Sequence, residues 1–313
     1  MKIMTTFFDS KTPFRGIITP MITPLSDEKN LDTESLKSLV EHLVKGGVHG
    51  IFILGTTGEG ISLSYKLKVE LIELTVKFVK GRIPVFVSVT DNSLQDSVLL
   101  AEVSAENGVS ALVAAPPFYF GLSQKELVYY YMKLADSVML PLFLYNIPGQ
   151  TKIMIDPETV KILASHPNIT GIKDSSGNAP HFNTLLSVLK ENESFSVLVG
   201  PDEMMASTVL MGGHGGVNSG SNLFPHLFTD LYQACLDRDM ERVSVLQKKV
   251  MLLSTLIYQV GNSNVRFLKG LKYSLHLFGL CPDFLLPPLC HLEENEIVML
   301  KENYLRLCEQ LIC

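Results

Sequence analysis

The stretch Asn168-Ile169-Thr170-Gly171-Ile172-Lys173-Asp174-Ser175-Ser176-Gly177 is a short, mostly apolar run closed by turn-forming residues. Such a run reads as a strand of a parallel sheet covered on both faces. A lysine at its end is costly to bury, because desolvation disfavours the ammonium form. The neutral amine that burial favours is a nucleophile able to form a Schiff base with a carbonyl. Taken alone, a strand-end lysine reads equally as a solvated cap, so its meaning rests on its neighbours.

Working outward, similar runs recur at Gly16 to Pro20, Gly50 to Gly55, Pro84 to Val89, Ser110 to Ala115, Pro141 to Asn146, Ser196 to Gly200 and Gly216 to Ser219. With Ile169 to Asp174 they make eight strands. Amphipathic stretches lie between them. Asp32 opens Leu36-Leu39-Val40-Leu43 and Ser64 opens Leu67-Leu71-Leu74-Val76, each with carboxylates expected in the early turns. Eight βα units over about 210 residues suit a (β/α)8 TIM barrel, an α/β fold of roughly 250 residues, better than an open doubly wound sheet. The unusual polar residues fall at the C-terminal ends of several strands, which form one face of a barrel, whereas an open sheet would gather them at one crevice. After Pro225 only helical patterning remains, with a proline-rich break at Cys281 to Pro288 and a last helix near Glu293 to Leu311. The expectation is a barrel over 14–224 and a helical C-terminal region over 225–313 packed on it.

The 313 residues carry a net charge of −6 and no cluster of Lys or Arg, which argues against a nucleic-acid or anionic-membrane partner. A hydrophobic share of 46% with twelve methionines supplies a large core. Met1 to Ser10 holds Phe7-Phe8 but no sustained apolar run, so neither a secretory signal nor a membrane span is expected there. Five cysteines (Cys235, Cys281, Cys290, Cys308, Cys313) lack paired spacing and are expected to be free thiols in a cytoplasmic protein without structural metal.

Three further stretches carry candidate chemistry. Gly55-Thr56-Thr57-Gly58-Glu59-Gly60 offers backbone N–H groups and two hydroxyls to a small carboxylate or phosphate, or is simply a tight βα turn. Tyr145-Asn146-Ile147-Pro148-Gly149-Gln150 places a tyrosine at a strand end, where it shuttles protons or packs as a core residue. Pro116-Pro117-Phe118-Tyr119-Phe120 reads as a lid or an interface plug. The glycine-rich segment around His214 keeps phosphorylated substrates and pyridoxal phosphate in play.

G-T-T-G-E, Y-N-x-P and G-I-K-D, in that order, resemble the dihydrodipicolinate synthase and N-acetylneuraminate lyase family of pyruvate-dependent class I aldolases, over about residues 14 to 290. The resemblance implies that Lys173 forms the Schiff base with pyruvate or a 2-keto acid, and that Thr56 and Thr57, beside Gly55, hold the pyruvate carboxylate. It implies that Tyr145 is the acid/base, relayed through Thr56 to Tyr119, which in the family enters the neighbouring subunit's site; a homodimer or homotetramer follows. Gly200 and Val217 match positions lining the pyruvate pocket. No metal or organic cofactor is implied, and pyridoxal phosphate becomes the weaker use of the lysine.

The synthases carry arginine where this chain has Gln150, and a neutral amide cannot pair bidentately with the carboxylate of aspartate semialdehyde. Asp202, Glu203, Asn218 and Ser219 suit a polyhydroxylated chain, the sialic acid lyases having a similar Asp-Glu pair; alternatively the two carboxylates simply start a helix. The leading expectation is therefore a lyase acting on a 2-keto-3-deoxy sugar acid or sialic-acid-like substrate, with pyruvate and a small aldehyde as partners. Dihydrodipicolinate synthesis is the alternative. A non-catalytic ligand-binding homologue is disfavoured by the joint presence of Lys173, Tyr145, Thr56 and Tyr119.

Overall fold

The structure, a computed structural model, describes residues 12–311. Eight strands close a parallel barrel: Gly16–Pro20, Gly50–Ile53, Val85–Ser88, Ala111–Ala114, Leu142–Asn146, Ile169–Asp174, Ser196–Val199 and Gly215–Val217. They are called the first to eighth strands below. Each pairs with its sequence neighbours, and the first closes the ring on the eighth with Ile18 opposite Val217. The closure is tight: a Cβ at Gly215, whose φ is +150°, would stand 2.0 Å from the Gly16 carbonyl oxygen. All eight expected strands are present, with ends shifted by a residue or two.

Side-chain alternation divides the buried residues into two clusters. Inside the barrel, Ile18, Phe52, Phe86, Val113, Phe143, Tyr145, Leu198 and Val217 pack together, with Phe86 and Phe143 edge to face at 5.5 Å. Burying a phenylalanine contributes about 1.5–3 kcal/mol, so these rings make the lower barrel a packed floor beneath the strand ends. Gly171 makes room for one of them, since a Cβ there would meet the Phe143 ring at 2.3 Å. The outer cluster joins strands to helices and runs on to Leu300 and Leu307 of the last helix, Glu294–Leu311.

The helices begin where side chains can cap them. Asp32 accepts from the Ser35 amide before Thr33–Lys45, and Ser64 from the Leu67 amide before Tyr65–Val79. The second has no acid in its first turn, its first carboxylate being Glu70, and the Ser64 hydroxyl takes up one of its free amides. Pro225–Leu236 and Met240–Leu253 follow the eighth strand, and Ser254–Tyr258 continues as a π-helical turn. A loop then leads to Arg266–Leu277. A small hairpin, Leu25–Asp27 with Asn30–Leu31, lies after the first strand. Among the described residues no helix is long and apolar enough to cross a membrane. Phe7-Phe8 lies outside the described residues.

Candidate active site at the C-terminal ends of the strands

Parallel register sets Lys173 beside Tyr145 on one flank and Leu198 on the other. Alternation turns Lys173 and Tyr145 inward and sends Asp174 outward. Lys173 is only 6% exposed; its Nζ stands 4.1 Å from the Tyr145 ring centroid and 5.1 Å from that of Phe52. Among the described residues it has no ion-pair partner. The other buried lysine, Lys272, is paired with Glu59 at 2.5 Å. An amine with no carboxylate on it is accessible to a carbonyl; one locked to a carboxylate is not.

Asp174 holds the strand ends in place. It accepts from Asn146 Nδ2 at 2.8 Å, and from the Ser176 amide and hydroxyl at 3.1 and 3.0 Å. His181 Nδ1 lies 3.5 Å from it. Burial works against the His181 imidazolium, but the interaction with Asp174 outweighs it and raises the pKa above the usual histidine value.

The loop after the second strand brings both threonines to the site. Its turn carries two non-glycine residues at positive φ, Leu54 at 61° and Glu59 at 54°, a strain that surrounding contacts must hold. Here Glu59 Oε1 accepts from Lys272 and Oε2 from the Leu286 amide at 2.9 Å, while Thr23 donates to the Gly58 carbonyl at 2.7 Å. The outcome is Thr56 Oγ1 at 3.3 Å from the Tyr145 hydroxyl and Thr57 Oγ1 at 3.0 Å from Ser219 Oγ.

Two cavities of about 310 Å³ each meet over this group, sharing Thr56, Tyr145, Ile147, Gln150 and Phe267. One holds Lys173 with Thr57, Gly200, Asp202, Glu203, Val217 and Ser219. The other is more apolar, contains Gly55, and is walled by Ile61, Phe118, Leu268 and Leu289.

Not every expected residue is brought in. Asn218 is fully buried, donates to the Gly200 carbonyl at 3.3 Å and lines neither cavity, because it alternates outward next to inward-facing Val217. Tyr119 is 79% exposed, with its ring on Phe120 and its amide on Asn92 Oδ1, and makes no hydrogen bond to Thr56 within the chain. Asp202 lines the cavity, but its carboxylate is turned into the protein, accepting from the Tyr258 hydroxyl and the amides of Ser219 and Gly220. Glu203 accepts from the Ser254 hydroxyl. Sequence reasoning missed Ser175, Tyr258, Gln259, Asn264 and Arg266, which share the Lys173 cavity. The polar run from Gln259 to Asn264 signals a loop, but nothing local says that it folds over the barrel mouth.

Among the described residues no group of three or more His, Cys, Asp or Glu side chains is placed to hold a metal. Cys235, Cys281, Cys290 and Cys308 are free thiols, and Cys313 lies outside the described residues. Burial pushes the Cys235 thiol up to about 11 and Cys281 up to about 12, which makes both inert.

Known proteins resemble this chain over nearly its whole length. The profile of the Dihydrodipicolinate synthetase family matches residues 13–304. The chain is 34% identical to the probable 2-dehydro-3-deoxy-D-pentonate aldolase YjhH of Escherichia coli K12, over 90% of this chain and 93% of that protein. Its structure superposes with a TM-score of 0.91 on dihydrodipicolinate synthase from Bacteroides thetaiotaomicron, at 47% identity, covering 94% of this chain and 99% of the other. With YagE, an E. coli K12 prophage protein of the same family solved with pyruvate, the TM-score is 0.89 at 29% identity, covering 94% and 98%. A buried, unpaired lysine at the end of the sixth barrel strand, with this profile match over nearly the whole chain, leaves one conclusion: the chain belongs to the dihydrodipicolinate synthetase family of pyruvate-dependent lyases and aldolases, enzymes that act through a lysine Schiff base.

Proposed function

We propose that Lys173 is the Schiff-base residue, and that the enzyme cleaves or forms a 2-keto-3-deoxy sugar acid with pyruvate as one partner. The observation that carries this reading is the Lys173 amine, buried, without a carboxylate, and 4.1 Å from the ring of Tyr145. The amine adds to the keto carbon and water leaves, giving a protonated imine. That imine withdraws electrons, so the carbon–carbon bond one atom further out breaks as a hydroxyl proton departs, releasing an aldehyde and leaving an enamine. Protonation of the enamine and hydrolysis of the imine return pyruvate and the free amine.

Tyr145 is the group that takes and returns the hydroxyl proton, being beside Lys173 in register and within reach of Thr56. The hydroxyls of Thr56 and Thr57 and the amides of their turn receive the pyruvate carboxylate, with Gly200 and Val217 forming the opposite wall. The scheme needs neither metal nor organic cofactor. Tyr119, exposed in its own chain, completes the Thr56 relay in a second copy, so the working form is a homodimer or homotetramer. Free thiols fit a reducing compartment, and we place the enzyme in the cytoplasm.

For the second substrate, Gln150 favours a neutral hydroxylated tail. It lines both arms of the cavity, so the tail meets an amide rather than a guanidinium. A second reading, condensation of pyruvate with aspartate semialdehyde, is favoured by Arg266, an exposed residue lining the same cavity as Lys173. The test compares kcat/KM for a panel of 2-keto-3-deoxy sugar acids and for aspartate semialdehyde, in wild type and Gln150→Arg. A charge-assisted hydrogen bond exceeds a neutral one by about 1–2 kcal/mol, so Gln150→Arg shifts the ratio toward the semialdehyde by roughly fivefold to thirtyfold. Efficient wild-type turnover of the semialdehyde, not improved by Gln150→Arg, would transfer the assignment to the synthase reading.

A further inference from the structure

Asp202 sits on the cavity wall where a substrate ligand is expected, yet both of its carboxylate oxygens are already taken up by donors of the protein. Its Oδ1 accepts from the Ser219 amide at 2.9 Å, and its Oδ2 from the Gly220 amide at 2.8 Å and the Tyr258 hydroxyl at 2.6 Å. The residue is 3% exposed and Tyr258 is buried. Ser219, fixed at its amide by this carboxylate, presents its hydroxyl to Thr57 Oγ1 at 3.0 Å. A continuous chain of contacts therefore runs from Tyr258 through Asp202 and Ser219 to Thr57.

The far end of that chain is a break in helix geometry. Residues Ser254–Tyr258 form a π-helical turn at the end of Met240–Leu253. A π turn widens the helix by one residue and redirects the side chains on it, and such turns are frequent at functional sites. Here Ser254 is directed at Glu203 and Tyr258 at Asp202. Both carboxylates of the Asp-Glu pair are thus taken up by one turn of the C-terminal region.

We propose that Asp202 is a positioning residue and not a ligand for the sugar chain: tied to the π turn by Tyr258, it sets Ser219 so that Ser219 holds the Thr57 hydroxyl where the substrate carboxylate binds. This rests on the reading that Thr57 receives the pyruvate carboxylate and Lys173 forms the imine. Disturbing the chain of contacts weakens binding of the carboxylate end shared by every substrate; a sugar ligand would act only on the tail.

The experiment measures borohydride trapping at Lys173 as a function of pyruvate concentration, which requires no second substrate. Asp202→Asn and Ser219→Ala each raise the half-saturating pyruvate concentration by about threefold to tenfold, with the extent of labelling at saturation unchanged. Tyr258→Phe, which keeps the ring in the core, raises it in the same direction, and serves where Asp202→Asn does not fold. Because Asp202 and Ser219 act through one hydroxyl, the double variant exceeds neither single variant by more than a small factor. Ser219→Thr, which keeps a hydroxyl, restores the wild-type value. Unshifted pyruvate half-saturation with a raised KM for long sugar acids alone would overturn the proposal, as would additive effects in the double variant. No labelling of wild-type Lys173 would instead remove the underlying Schiff-base reading.

Discussion

Lys173 and Lys272 are both withdrawn from water, and among the described residues only Lys272 of the two is paired with a carboxylate. The Glu59–Lys272 pair braces a turn with Leu54 and Glu59 at positive φ, so its structural effect reaches the two threonines between them. Lys272→Met leaves Glu59 as a buried, unpaired charge and destabilises the fold by about 3–5 kcal/mol, read from denaturant midpoints. Lys272→Met with Glu59→Gln recovers a large part of that loss; a single variant as stable as wild type would contradict the role given to the pair. At this scale the sequence shows residue types but not their partners. Lys173 was legible because a lysine stands out in an apolar strand. Asp202 reads as a ligand for a sugar chain and Lys272 does not stand out, since nothing near them in sequence reveals Tyr258, 56 residues away, or Glu59, 213 residues away.

The strands were legible because a parallel sheet covered on both faces needs apolar runs bounded by turns, and the caps Asp32 and Ser64 announce their helices. The π turn was not, because Ser254–Tyr258 continues the helical periodicity of the residues before it and its widening is set by what it packs against. That packing carries a pH signature. Burial pushes Asp202 up to about 6 and the nearby Glu203 charge adds to this, while the Tyr258 hydroxyl and the Ser219 and Gly220 amides oppose it. A carboxylate raised from its ordinary 3.8 favours the folded state at low pH and loses that contribution as pH rises through about 6. Its loss amounts to about 3 kcal/mol. Urea unfolding between pH 4 and 7 should therefore show wild type losing stability relative to Asp202→Asn as pH rises, and a difference that is flat or of opposite slope would refute this.

In the whole molecule, barrel and C-terminal region share one site: the strands place Lys173, Tyr145 and the threonines, and the loop before Arg266–Leu277 closes over them. The barrel was readable from the spacing of eight strands, but this covering was not, because it is a long-range contact. In the proposed homodimer Tyr119, 79% exposed in its own chain, reaches the second subunit's site. Mixing Tyr119→Phe with Lys173→Ala subunits should restore about one quarter of wild-type activity through hybrid pairs, because one intact site forms in each; a site complete within one chain gives no recovery. The central claim is most directly tested by incubating the protein with pyruvate and borohydride and mapping the modified peptide. One reduced pyruvate per chain on Lys173, absent from Lys173→Ala, is the predicted result; an adduct elsewhere, or labelling that survives Lys173→Ala, would contradict it.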